Sequence, residues 1–492
     1  MNKRSSGITR RQLLQGSAAV GGLTAMGTPI ISLAQAAASS GGASSFADLD
    51  AMLQGNVITP DSDRYESARR VFNGMIDRHP AAIARCSGAA DVMDVVKYAR
   101  EHDIPVSVRG GGHNVAGKAV RDDAITIDLG PMHGVWADPY RKRARAQGGV
   151  RLGALDRETL AVGMFVPSGT VSDTGVAGLT LGGGLGWVQR KYGLTIDSLV
   201  SADVVTADGE FIVASERENT DLFWALRGGG GNFGVVTSFE YRMFEAEEIV
   251  GGMALWPEAM VGDMLEFYRE FTSSAPNSVM TMAGTMIGPP GTSVEGQAAG
   301  FIAVCYSGTT AEGERLLQPI KDFGPPALDL IGPTSFKSIQ TMFDASSPRG
   351  RQNYWRSNFM HELTDEVLDT VLARSAELPP SGSIFLLEHM GGAIRDVGPH
   401  DTAFSSRDAN YNVSILGTWE DASKNDEYVA WTRKVGDELK QYSTGGAYVN
   451  YMADEGEKAV QDTYETNLAR LREVKRKYDP DNFFNANQNI AP

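Results

Sequence analysis

The residues with the clearest chemical potential lie in glycine-dense stretches. The first is Arg109 to Gly117, RGGGHNVAG. Gly110, Gly111 and Gly112 strip the side chains from a loop, so backbone N–H groups can turn inward towards an anion, with phosphate the usual guest. His113 follows directly, where the ring of a bound cofactor would lie beside it. A second stretch, Gly175 to Leu194, holds Gly182, Gly183, Gly184 and Gly186, and a third, Arg227 to Val236, reads RGGGGNFGVV. Any one of them is compatible with an ordinary tight turn. Together they exceed what turns require and point to one long phosphate-bearing cofactor gripped by backbone. None carries the lysine of an NTPase phosphate loop. Gly229, Gly231 and Gly234 satisfy the bare G-x-G-x-x-G spacing, but the β-rich run VVTSFEYR follows where the dinucleotide fingerprint requires a helix. That disfavours a nicotinamide-type Rossmann site and favours a flavin dinucleotide in another fold.

Taken in order, RGGGHNVAG, GVAGLTLGGGLGWVQRKYGLTIDSL, LRGGGGNFGVVTSFEYR and, at Tyr478 to Ile490, YDPDNFFNANQNI resemble the berberine-bridge-enzyme-like FAD-linked oxidases. These belong to the vanillyl-alcohol-oxidase/PCMH flavoprotein superfamily. The likeness runs from about Val71 to the C-terminus. It implies an α+β fold with a PCMH-type FAD-binding domain over 71–244 and an antiparallel-sheet substrate domain, helices on one face, over 245–446. A C-terminal berberine-bridge-like segment, 447–492, would pack back on the FAD domain. The implied cofactor contacts begin with Arg109, Gly110, Gly111, Gly112, His113, Asn114 and Gly117. Val171 and Thr174 come just before the second stretch, and Gly175, Gly178, Gly182, Gly183 and Gly186 from within it. Gly234, Val236, Asn450 and Asn487 complete the set. In this family the histidine matching His113 is joined to the 8α-methyl carbon of the flavin, which raises its redox potential and prevents cofactor loss. Many relatives add a second link through the cysteine of a C-P-T-x-G-V-G-G run. Here the run is VSDTGVAG, with Val171 in the cysteine's place, so the resemblance implies FAD attached through His113 alone.

The segment Ala447 to Tyr451, AYVNY, matches the family's Y-x-N-Y strand over the substrate face of the flavin. By that match Tyr451 is the candidate base and Tyr448 its neighbour, and Asn450 would orient a substrate or flavin carbonyl. Along a strand Tyr448 and Asn450 share one face while Val449 and Tyr451 share the other. Both tyrosines reach the flavin only if the strand twists or ends between them. A phenol, ionising at about pH 10, needs a nearby cation to serve as a base, and no residue declares itself as that cation. Two packed aromatics are the plain alternative. Glu388, in FLLEHMGG, is a further catalytic candidate, and Asn412 and His389 are candidate substrate contacts. A solvated surface role for Glu388 stays open. Trp355, Phe359 and Phe385 either line a hydrophobic pocket or fill the core.

The function implied is an exported FAD-dependent oxidoreductase. It would oxidise a small alcohol, sugar or secondary metabolite by hydride transfer to the flavin, with reoxidation by dioxygen. The alternatives are a flavin dehydrogenase using a non-oxygen acceptor and a flavin-bearing binding protein without turnover.

Several elements must position these residues. Ala82 to Cys86 and Ile104 to Val108 read as strands around the amphipathic helix Ser87 to His102, a β-α-β unit that puts RGGGHN at a strand's carboxyl end. Strands are expected at Ala124 to Leu129, Arg143 to Gln147 and Val235 to Phe244, and a helix at Leu152 to Val162. A hairpin is expected about Asp208-Gly209. Phe46 to Asn73 reads as helical with turns. Further on, strands such as Gly300 to Tyr306 and Val413 to Thr418 alternate with helices at Glu258 to Phe271, Asp365 to Ser375 and Asp426 to Gln441. Thr463 to Lys477 reads as one long helix stopped by Tyr478-Asp479-Pro480.

The chain has 492 residues, 42% hydrophobic and 22% charged, enough to bury a sizeable core. A net charge of −16 opposes binding to nucleic acid or to an anionic membrane. No internal apolar run is long enough for stable membrane insertion. Thr9-Arg10-Arg11-Gln12-Leu13-Leu14, the weakly apolar stretch Gly16 to Leu33 and Ala34-Gln35-Ala36 make a twin-arginine leader over 1–36. A disordered basic leader is the alternative. The leader predicts a mature chain starting near Ala37, a linker and N-terminal segment over 37–70, the twin-arginine export machinery as a partner, and a periplasmic or secreted location. Cys86 and Cys305 lack metal-ligand spacing and either pair or stay as separate buried thiols, and no cluster of metal ligands stands out.

Overall fold

The β-α-β unit that carries the first glycine loop forms as its pattern dictates. Ala82–Arg85 and Val106–Arg109 both pair in parallel with Ile125–Asp128. The helix Ala89–Glu101 buries Val92, Val95, Val96 and Ala99 against this sheet, the 3.6-residue stripe the sequence displays. The sheet has four strands, in the order Asn56–Ile58, Ala82–Arg85, Ile125–Asp128, Val106–Arg109. Its first strand interrupts the stretch expected to be helical from Phe46. Three residues are too few for period-two alternation to show, and Asn56–Ile58 is a strand because it pairs antiparallel with Ala82–Arg85.

The computed structural model describes residues 42–380 and 382–492. The expected leader, residues 1–36, and its expected cleavage site lie outside the described residues. Phe46–Pro492 forms one compact unit. Within it a second sheet runs in the order Val135–Asp138, Arg143–Gln147, Val235–Arg242, Leu199–Val205, Phe211–Ser215, every pair antiparallel. Its last pair is the hairpin about Asp208-Gly209, where Gly209 takes φ +72°. Cys86 and Cys305 are both buried free thiols.

The third sheet belongs to the chain beyond Glu245. Its main path is Leu328–Asp329, Ile249–Pro257, Ala298–Ser307, Val279–Ile287, Ile384–His389, Tyr411–Trp419, Gln352–Met360, antiparallel throughout. The helices Val261–Ser274, Asp365–Ser375 and Asn425–Lys440 bury Leu265, Val371 and Leu439 in one cluster with Phe385, Leu387 and Val413 of the sheet. Leu386 belongs to a different cluster with Met282 and Phe301 on the opposite face, as strand alternation requires.

The C-terminal segment departs from the single helix expected over Thr463 to Lys477. Glu457–Tyr464 and Leu468–Tyr478 are separate helices. At the break, the Asn467 amide donates to the carbonyls of Pro399, Thr402 and Ala403. These tertiary bonds override a helix-competent sequence. The second helix carries Lys475, fully buried, whose ammonium donates to the Asn232 carbonyl at 2.7 Å, the Phe484 carbonyl at 3.1 Å and the Asp479 carboxylate at 2.6 Å. The tail is thereby tied to the third glycine loop.

Candidate active site

A cavity of about 510 Å³ is lined by all three glycine-dense stretches, by the AYVNY segment and by the inner face of the long sheet. Gly110, Gly111, Gly112, His113 and Asn114 line it from the first loop. Val171 and Thr174 line it from just before the second, and Gly175, Gly178 and Gly182 from the second itself. Gly234 and Val236, Tyr448, Asn450 and Tyr451, and Asn487 complete the expected residues found there.

The other expected residues are placed differently. Arg109 is a buried strut, 2.9 Å from the Asp128 carboxylate, which fixes the strand end from which the loop departs. Gly117 packs against Ile76, and Gly183 against Phe404. Gly186 passes so close to Ser168 that a Cβ would lie 1.7 Å from its carbonyl oxygen. These residues shape the loops without lining the cavity.

Two observations test whether an extended flavin fits. A Cβ added to Gly178 or Gly231 would meet no atom within 4 Å, so both backbones face open cavity. Buried polar atoms in the lining also lack hydrogen-bond partners: His113 Nε2, Trp355 Nε1 and Asn487 Oδ1. Orphaned atoms of this kind around a cavity mark the place of a polar guest. The residues fit an FAD.

His113 is held rigidly. The Phe72 ring stacks on its imidazole at 3.8 Å. Burial, reinforced by the charges of Arg349 and Arg151, pushes its pKa down to about 3, so the ring is neutral at physiological pH. Arg349 anchors the loop by donating to the Gly111 carbonyl at 2.7 Å and to Asp173 at 2.6 Å, and Arg151 pairs with the same Asp173. Phe72 and Arg349 have no motif of their own, and no local pattern announces either.

The AYVNY segment is not a strand. Val449–Tyr451 is one turn of 3-10 helix, closed by the Tyr451 N–H donating to the Tyr448 carbonyl at 2.8 Å. Residues three apart then fall on one side. The two tyrosine rings meet edge to face at 4.9 Å, and strand alternation does not separate them. The Tyr448 hydroxyl oxygen accepts N–H bonds from Gly184 at 3.2 Å, Leu185 at 3.1 Å and the Asn450 side chain at 2.9 Å. Burial raises its pKa to about 12, with those three donors opposing the rise.

Tyr451 has a carboxyl group beside it where a cation was expected. Its hydroxyl donates to Glu388 Oε1 at 3.4 Å, and the Asn412 amide donates to Glu388 Oε2 at 2.6 Å. Glu388 is 1% exposed, which removes the solvated surface role. Burial raises its pKa to about 7, while the hydrogen bonds from Asn412 and Tyr451 hold it down. Tyr451 is pushed well above the usual phenol range, first by burial and then by the Glu388 charge. Asn412 therefore sits behind Glu388.

His389 does not join this group. It follows Glu388 along a strand, so it points to the other face, where its Nε2 lies 2.8 Å from the Arg190 guanidinium and its ring stacks on Tyr411. Of the three aromatics left open, Trp355 lines the cavity, Phe359 packs on Phe404, and Phe385 packs on Trp431.

Residues 80–215 match the family model for an FAD binding domain, and residues 447–491 match that for berberine and berberine-like proteins. An uncharacterized FAD-linked oxidoreductase of Bacillus subtilis is 30% identical over 447 residues, covering 89% of this chain and 97% of the relative. The (R)-6-hydroxynicotine oxidase of Paenarthrobacter nicotinovorans is 30% identical over 459 residues, covering 89% and 97%. Among solved structures, a glucooligosaccharide oxidase from Acremonium strictum superposes with a TM-score of 0.80 at 25% identity, covering 91% of this chain and 99% of that one. That oxidase carries a 6-S-cysteinyl, 8α-N1-histidyl FAD. Matched along nearly nine-tenths of its length by enzymes of one kind (89%), the chain belongs to the berberine-bridge-enzyme-like FAD-linked oxidoreductases.

Proposed function

We propose that this protein is an exported oxidase that takes a proton and a hydride from a small alcohol, amine or related secondary metabolite, with FAD attached through His113 alone. The observation that carries this reading is the pair formed by Tyr451, which lines the cavity, and Glu388, which accepts its hydroxyl hydrogen bond from behind the lining. Bound FAD supplies the hydride acceptor, and dioxygen takes the electrons onward. The protein's part is proton management. A substrate X–H at the Tyr451 oxygen gives its proton to the phenol while the phenol passes its own proton to the Glu388 carboxylate. A phenol raised this far cannot wait as a tyrosinate, but it can relay to a carboxyl poised at about 7. Tyr451→Phe should slow flavin reduction by about 10²–10⁴-fold with the flavin spectrum intact. An unchanged rate in stopped-flow would sink the relay.

One observation favours Tyr448 as the base in a second reading. The N–H donors on its oxygen favour the phenolate, as an oxyanion hole would. A larger loss of flavin reduction in Tyr448→Phe than in Tyr451→Phe would select it.

Covalent attachment is supported by the neutral His113 ring with a buried, unpartnered nitrogen. Val171 stands where relatives have a cysteine, which supports a single link. Acid-denatured protein should retain its flavin, and acid-denatured His113→Ala should release it; flavin mapped by peptide mass to another residue would refute the assignment. Export is supported by Arg10-Arg11 with Ala34-Gln35-Ala36. Lysine at both arginines should leave precursor in the cytoplasm, and normal export of that variant would remove the twin-arginine route.

A further inference from the structure

The inner face of the long sheet is ordered into cross-strand rows, and their chemistry changes along the strands. One row is Met286, Ile384, Leu416 and Trp355, paired side by side across four strands. The next row places Phe301, Gly284 and Leu386 together and ends at Ser414 and Ser357. The third holds Met282, Glu388 and Asn412. Rows on one face lie two residues apart, about 7 Å. Along this face the rows therefore pass within two steps from wholly apolar to one that holds a single acid, Glu388, set behind the cavity lining beside Tyr451.

The polar atoms on this face are largely committed to the protein. Thr418 donates to Asn353, Ser357 accepts from the Tyr448 N–H, and Asn412 donates to Glu388. Buried side-chain atoms of the face left without partners include Asn412 Oδ1 and Ser414 Oγ, both at the Glu388 end, and Trp355 Nε1. None of the face residues of these strands is basic. Met253, Met282, Met286 and Met342 all line the cavity, together with Phe301 and Phe343. Methionine is unbranched and polarizable, and it packs well against aromatic rings of irregular outline.

We infer that the substrate is a hydrophobic, aromatic-bearing alcohol or amine with its one reacting polar group at the Tyr451–Glu388 end, and not an oligosaccharide or an organic acid. A sugar would bring several hydroxyls against methionine, leucine and phenylalanine, where they would stay unpaired. An anionic substrate would find no cation on the sheet face, and the one lysine that lines the cavity, Lys118, is already paired with Asp454 at 2.9 Å. A ring with an alkyl tail matches the wall, and each CH₂ buried there tightens binding by about fourfold. The inference depends on the function proposed above for which bond reacts, but not for what the wall binds.

The test is titration of the flavin-loaded protein with benzyl alcohol, 4-butylbenzyl alcohol, benzylamine, cellobiose and mandelate. Flavin difference spectra read binding, and anaerobic bleaching reads reduction. The expected result is that 4-butylbenzyl alcohol binds at least tenfold more tightly than benzyl alcohol, cellobiose or mandelate. Met286→Gln should shrink the gain from the butyl group at least threefold. Cellobiose or mandelate binding as tightly as 4-butylbenzyl alcohol would overturn the inference, as would a Met286→Gln protein with unchanged preference. If the aromatic series binds in the expected order and no compound bleaches the flavin, the oxidase reading fails while the assignment of the wall stands.

Discussion

Glu388 is 1% exposed, and its hydrogen bonds come from Asn412 and Tyr451. To receive a proton it must first be ionised, so the rate of flavin reduction should rise with pH through a midpoint near 7. Glu388→Gln should abolish that limb and lower the rate by about 10²–10⁴-fold; a variant that keeps the limb assigns it to another group. The same pKa has a stability consequence of opposite sign. Its folded value lies above the ordinary 4.5, so this carboxyl favours the folded state fully below pH 4.5 and loses that contribution as pH rises through about 7. Glu388→Gln should therefore gain up to about 3 kcal/mol relative to wild type between pH 5 and pH 8 in urea unfolding. His113 and both tyrosines were legible in the sequence because each sits in a short, dense motif. Glu388 was named as a candidate too, but its pairing with Tyr451 was not legible. Glu388 is separated from Tyr451 by 63 residues, and only the fold brings carboxyl to phenol.

Among the elements, the turn at Val449–Tyr451 departs most informatively from its sequence. Ala447 to Tyr451 holds β-formers, and local propensity favours a strand. The 3-10 turn prevails because it lets the Tyr448 oxygen collect N–H groups from Gly184, Leu185 and Asn450. Tyr448→Phe would leave the buried Gly184 and Leu185 N–H groups unsatisfied, each costing about 1–3 kcal/mol. That variant should melt earlier by calorimetry and load less flavin, and a wild-type melting temperature would deny the turn its structural role. The hairpin about Asp208-Gly209 and the helix Ala89–Glu101 were readable in advance, since turn chemistry and a 3.6-residue stripe are local signals. The strand Asn56–Ile58 and the helix break at Asn467 were not, because tertiary hydrogen bonds create both.

At the scale of the whole molecule, the cavity is built from distant parts of the chain. Asn232 in the third glycine loop donates to the Gln488 carbonyl and accepts from the Ile490 N–H, and Lys475 binds the Asn232 carbonyl. Lys475→Met would leave the fully buried Asp479 without its cation. Breaking such a pair from one side should destabilise the protein by about 3–5 kcal/mol, measurable by urea unfolding. A loss under 1 kcal/mol would mean that the N–H groups of Phe483 and Phe484 alone sustain Asp479. The tail's return to the cofactor region came from family resemblance, since no periodicity in the sequence encodes a contact spanning 258 positions. This closure also sets a clock on biosynthesis. On the ribosome, the β-α-β unit bearing His113 can assemble early, yet the wall supplied by Tyr448, Asn450 and Asn487 does not exist until those later residues have been made. A cavity with all of its walls in place is therefore a sign that synthesis has passed Asn487.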